Sequence, residues 1–137
     1  DSVPGTQQVF IGVEGGLMRS EDNGRTFRFV IHEPLLEAKG YPYIGAFLAL
    51  KDKPSTLVIG GFDKMHGRPY LAWSKDGGST WTDISSMVPG YANKADDEHG
   101  TGSVSAIMQD PQGRIIVVVN ERADGQGRLM QLTLGDK

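Results

Sequence analysis

Two short strings, fifty-four residues apart, are written on one template: Ser20-Glu21-Asp22-Asn23-Gly24-Arg25-Thr26-Phe27 and Ser74-Lys75-Asp76-Gly77-Gly78-Ser79-Thr80-Trp81. A period of this size is the mark of stacked small units, because one such unit cannot bury its apolar face alone. The similarity extends beyond the strings. Each is preceded by a hydrophobic strand, Val9–Val13 in the first copy and Thr56–Gly61 in the second. A second strand leads into each string, Gly16–Ser20 and Pro69–Ser74, and a third leaves it, Thr26–Ile31 and Thr80–Ile84.

A third copy is readable near the C-terminus. Arg114–Asn120 matches the first of these strands and Arg128–Leu134 the second, with Leu129-Met130 in the place of Leu17-Met18. The chain is expected to stop where a third string would begin. One further strand precedes each of the last two copies, Tyr43–Leu50 and Ser103–Asp110. The predicted count is therefore three strands, four strands and three strands, in repeat units at about 7–31, 43–84 and 103–134 of a single domain, 1–137. Nineteen glycines and seven prolines between β-branched and aromatic runs agree with many short strands joined by turns. Only Glu33–Gly40 has the makings of a turn or two of helix.

The strings have a local physical logic. Gly24 and Gly78 tolerate positive φ, and Asp22 and Asp76 stand where a carboxylate can accept the turn's own N–H groups. Ser20 and Ser74 add a hydroxyl, Thr26 and Thr80 restart the strand, and Phe27 or Trp81 covers the apolar side of the hairpin.

This pattern resembles the Asp-box, or BNR repeat, of sialidase-type β-propellers. The second copy matches it in full, and the first has Phe27 in place of Trp. The resemblance implies an all-β fold of antiparallel meanders in four-stranded, propeller-like blades. About ten strands are expected, as an incomplete propeller or an open two-sheet sandwich. It also implies that the boxes are structural and lie away from any active site. A sialidase would carry an Arg-Ile-Pro signature near its N-terminus. The nearest strings here, Gly67–Tyr70 and Gly113–Ile116, do not match it, so no catalytic residue is assigned and the chain is not expected to be an enzyme. Nor is there a Gly-rich phosphate loop, an HExxH or a Gly-x-Ser-x-Gly. Seventeen acidic residues always allow some carboxylate pair to be assembled, so that alone does not point to glycoside hydrolysis.

Composition narrows the rest. A net charge of −3 argues against nucleic acid or a membrane surface bound through bulk charge. No stretch is long enough to span a membrane. Absence of cysteine removes disulfides, thiol catalysis and Cys-ligated zinc. The chain opens at Asp1 rather than Met, as expected of a processed or trimmed product whose targeting segment has been removed.

In a meander, connections alternate between two faces. The boxes and the connections between first and second strands share one. The unusual loops fall on the other: 13–16, 32–42, 62–69, 88–102 and 121–127. These hold all three histidines together with Tyr41 and Tyr91. Long polar loops on a rigid scaffold commonly carry binding. The candidate partner-binding residues are Tyr41, His66, Arg68, Tyr91, Asp96, Asp97, Glu98 and His99. Each has a plainer reading as solvated surface or local loop packing. Asp96, Asp97 and Glu98 offer oxygen ligands that suit calcium, without the EF-hand spacing; otherwise no cofactor is expected.

The function expected on these grounds is that of a non-catalytic binding protein, periplasmic or secreted. The first reading is a small inhibitor or immunity protein that blocks an enzyme, with a cell-wall hydrolase as candidate target. The alternative is a carbohydrate-binding or glycosidase-derived propeller fragment. A third is a scaffold segment of a longer precursor.

Overall fold

The computed structural model describes residues 9–13, 16–32, 42–53, 55–63, 68–88, 102–121 and 126–134. They form three antiparallel sheets, and none closes into a barrel. The first holds β1 (Val9–Val13), β2 (Gly16–Ser20) and β3 (Arg28–His32). The second holds β4 (Pro42–Ala49), β5 (Leu57–Asp63), β6 (Arg68–Ser74) and the two-residue β7 (Thr82–Asp83). The third holds β8 (Gly102–Gln109), β9 (Ile115–Glu121) and β10 (Gln126–Leu132). Every strand pairs with its neighbour in sequence, so each sheet is a meander, and the order three, four, three is the one expected. The two-sheet sandwich is excluded by the third sheet. A short 3₁₀ turn, Ser85–Met87, follows β7. Among the described residues no helix is long and apolar enough to cross a membrane.

Side chains alternate between faces along a strand, so a central strand buried on both sides reads as an uninterrupted apolar run. In β5, Leu57 and Ile59 join Phe10, Leu17, Ile44 and Ala72 in a cluster between the first and second sheets. Val58, between them, joins Ala46, Leu71, Val104, Val117 and Val119 in a cluster between the second and third. The second sheet is thus covered on both faces, and the molecule has two dry seams.

Alternation is interrupted at matching places in β4 and β8. The pairing register shifts between Ile44 and Ala46, and again between Val104 and Ala106. Gly45 and Ser105, each the fourth residue of an eight-residue strand, are the extra residues of two β-bulges. The bulge lets Ile44 face the first seam while Ala46 faces the second. In β8 it keeps Val104 and Ile107 in one seam despite their odd spacing.

Register also aligns the three units. Ser20 pairs with Val9, Ser74 with Leu57, and Leu132 with Ile115. Leu132 therefore stands where the other two units place the serine, and the next residues are Thr133-Leu134 rather than x-Asp. This corrects the expectation that the chain stops short of a third box: the box positions begin within the chain but carry other residues. Leu132 is buried in the second seam, where a serine hydroxyl would have no use. Lesser differences concern strand ends. β3 starts at Arg28 and β7 spans Thr82–Asp83, because Thr26 and Thr80 are committed to the turns.

Candidate functional site

The two turns are built alike. The Ser20 hydroxyl oxygen accepts the Gly24 N–H at 2.8 Å and the Asp22 N–H at 3.2 Å, and its hydrogen goes to Asp22 Oδ1 at 2.6 Å. That same carboxylate oxygen accepts the N–H groups of Arg25 (3.0 Å) and Thr26 (2.9 Å), while Oδ2 accepts the Thr26 hydroxyl at 2.6 Å. In the second turn Ser74 binds Gly78 N–H at 2.9 Å and Asp76 Oδ1 at 2.7 Å. Asp76 in turn accepts the Thr80 N–H at 2.9 Å and the Thr80 hydroxyl at 2.6 Å. Positive φ falls at Asn23 (62°) and Gly24 (90°), and at Gly77 (73°) and Gly78 (98°).

These bonds set the charge state. The Ser20 hydroxyl, then the Thr26 hydroxyl and N–H, hold the Asp22 carboxyl well below the usual carboxylate range. For Asp76 the Thr80 hydroxyl leads, followed by the Thr80 N–H and the Ser74 hydroxyl, with the same result. Asp22 borders a small cavity of about 260 Å³, but both of its oxygens are taken up by the turn. Phe27 and Trp81 are half-buried, and the Trp81 indole donates to the Gly78 carbonyl at 3.0 Å, a bond Phe27 cannot make.

The second turn is also fastened to its surroundings. Gly77 N–H donates to the Ser55 carbonyl at 2.9 Å, which places the β4–β5 turn on the same rim. The Gly77 carbonyl accepts Nη1 of Arg19, across the first seam, at 3.0 Å. Lys51 N–H donates to Gln109 Oε1 at 2.9 Å, tying the β4–β5 strand end to the β8–β9 end.

On the second sheet the register equivalent of Arg19 is Trp73, each standing just before its serine. Across the second seam, where a third turn would meet Trp73, the chain carries Leu132-Thr133-Leu134. The result is a groove of about 690 Å³ on this rim. Trp73, Leu50 and Leu134 give it apolar walls; Lys53, Lys75 and Arg114 line it with positive charge. None of its described lining residues is acidic. Arg114 is partly balanced by Asp110, whose Oδ2 lies 2.6 Å from its Nε. Sequence reading passed over this groove. The one signal for it was an aromatic residue preceding the second serine where the first copy has arginine.

The candidate partner-binding residues fall almost wholly outside what the structure describes. Tyr41, His66, Tyr91, Asp96, Asp97, Glu98 and His99 lie outside the described residues, and of Arg68 only the backbone, at the start of β6, is described. The calcium candidates are among them. Among the described residues no cluster of three or more His, Asp or Glu is placed to hold a metal.

No family model matches the chain, and no curated protein matches it. Among solved structures it is similar to an ancestral GH74 enzyme. The TM-score is 0.64 at 14% identity, over 99% of this chain and 18% of that one. At this identity the likeness is one of fold: small antiparallel sheets in a propeller-like arrangement. The chain spans about a fifth of the length of that structure.

Proposed function

We propose that this is a non-catalytic carbohydrate-binding chain of propeller type, and that an acidic saccharide lies in the groove beside Trp73. The observation that carries the reading is the groove's lining: an indole, three leucines and an isoleucine beside three basic side chains, in a space of ligand size. An indole wall suits the apolar faces of a sugar ring, and Lys53, Lys75 and Arg114 suit a uronate or other sugar acid. Likeness to a GH74 enzyme supports the ligand class by analogy of fold alone. Cleavage of a glycosidic bond calls for a pair of carboxylates. The groove's described lining offers none, which favours binding without hydrolysis.

The chain has two tryptophans, so Trp81→Phe, the residue the first turn already uses, leaves Trp73 as sole reporter. With that variant, a uronic-acid oligosaccharide is expected to give a saturable fluorescence change. The change should weaken with added salt. Calorimetry on Trp73→Ala should show the binding heat gone. Silence of Trp73 toward both acidic and neutral oligosaccharides at millimolar concentration would remove the proposal.

A further inference from the structure

The two box turns differ at the place that carries the first positive φ. The first turn puts Asn23 there, at 62°, followed by Gly24 at 90°. The second puts Gly77 there, at 73°, followed by Gly78 at 98°. Either residue suits a left-handed backbone. Only asparagine brings chemistry to it. A bond from the Gly24 nitrogen to Asn23 Cγ closes a succinimide ring. Glycine obstructs that closure least, since it has no side chain beside the attacking nitrogen. The chain has three asparagines, and the other two, Asn93 and Asn120, precede Lys94 and Glu121. Asn23 alone precedes a glycine.

The turn controls that nitrogen. Gly24 N–H donates to the Ser20 hydroxyl oxygen at 2.8 Å, and Ser20 is 1% exposed. The nitrogen must lose its proton before it can attack, and a proton held by a buried acceptor is shielded from hydroxide. The Ser20 oxygen is itself fixed, because its hydrogen goes to Asp22 Oδ1 at 2.6 Å, and that oxygen also accepts the N–H groups of Arg25 and Thr26. The nucleophile is therefore released only when the turn opens as a unit. Every one of these bonds lies within residues 20–26, so the control is local to the turn.

We infer that Asn23 is a site of spontaneous deamidation and that the Ser20 hydroxyl is the latch that sets its rate. In the open turn the deprotonated Gly24 nitrogen attacks Asn23 Cγ. The new bond displaces Nδ2, which takes up protons and leaves as ammonia. Water then opens the succinimide and returns the proton to the Gly24 nitrogen. Breaking the bond to Cγ gives aspartate at position 23. Breaking the bond to the main-chain carbonyl carbon gives isoaspartate, with the backbone rerouted through Cβ and Cγ. Nothing is oxidised or reduced. The isoaspartyl product has an extra carbon in the chain between Ser20 and Gly24, so the Ser20 oxygen no longer meets the Gly24 N–H and the latch stays undone. The second turn is exempt at this place, because Gly77 has no side chain to be attacked. This inference is independent of the groove and of any saccharide.

The chain is incubated at mildly alkaline pH, native and in guanidinium chloride. Mass spectrometry follows the tryptic fragment Ser20–Arg25, and enzymatic isoaspartyl methylation reports the rerouted linkage. Deamidation is expected in both samples, and roughly ten- to a hundredfold slower in the native one, the factor set by freeing a hydrogen-bonded N–H. Hydrogen exchange of the Gly24 amide should be slowed by a similar factor, because both reactions wait on the same opening. Ser20→Ala, checked as folded by far-ultraviolet circular dichroism, should deamidate at close to the unfolded rate. Ageing should lower the melting temperature of wild type and leave that of Asn23→Gly, which carries the second turn's residue, unchanged. A native rate equal to the unfolded one, a Gly24 amide that exchanges without protection, a folded Ser20→Ala no faster than wild type, or an aged wild type as stable as a fresh one would each overturn the inference.

Discussion

Ser74 shows how much a single hydroxyl can organise. It satisfies the buried N–H of Gly78 and steers one oxygen of Asp76 toward Thr80. In Ser74→Ala the Gly78 N–H loses its acceptor inside the protein, a loss that costs about 1–3 kcal/mol; urea unfolding of the variant against wild type measures it. The aspartates add a pH dependence. Each has a folded-state pKa below its unfolded one, so the stability it contributes is complete above the ordinary carboxylate range and is lost as the pH falls through and below that range. Melting temperatures followed from pH 5 down to pH 2 should fall less steeply for Asp22→Asn/Asp76→Asn than for wild type. At neutral pH the double variant should be the less stable of the two. These residues were legible because their bonds are local: Ser, Asp, Gly and Thr within seven positions leave little choice of partners. Leu132 was not, because its place is fixed by pairing with Ile115, seventeen residues away.

At the level of elements, strand number and order could be read from alternation and turn residues. The bulges at Gly45 and Ser105 could not. An extra residue in a strand leaves composition untouched and shows only as a change of facing, which has meaning once both seams are known. Gly60 is a similar case: in the sequence it is one of two glycines ending an apolar run, and in the fold it is the seat of Val104. Gly60→Ala should destabilise the protein by about 1–3 kcal/mol through overpacking of the second seam. Val104→Ala introduced beside it should restore part of that loss, so chemical denaturation of the four-member cycle should reveal coupling between the two sites.

At the scale of the molecule, the readings made from the sequence divide by rim. The box rim was understood as structure and proves to hold a groove as well. The loops that strand alternation assigns to the opposite side, with their tyrosines, histidines and acidic run, lie mostly outside the described residues, and a sequence does not say which loop residues converge. A propeller-like stack also behaves unlike a domain with one core. Because Val58 and Ile59 are adjacent in β5 yet serve different seams, the second sheet has no side of its own to show to water. Strip away either neighbour and half its surface becomes a wetted oil film. The outer sheets therefore act as its coat, and a nick that released the first or third sheet would leave behind a remnant with every reason to clump.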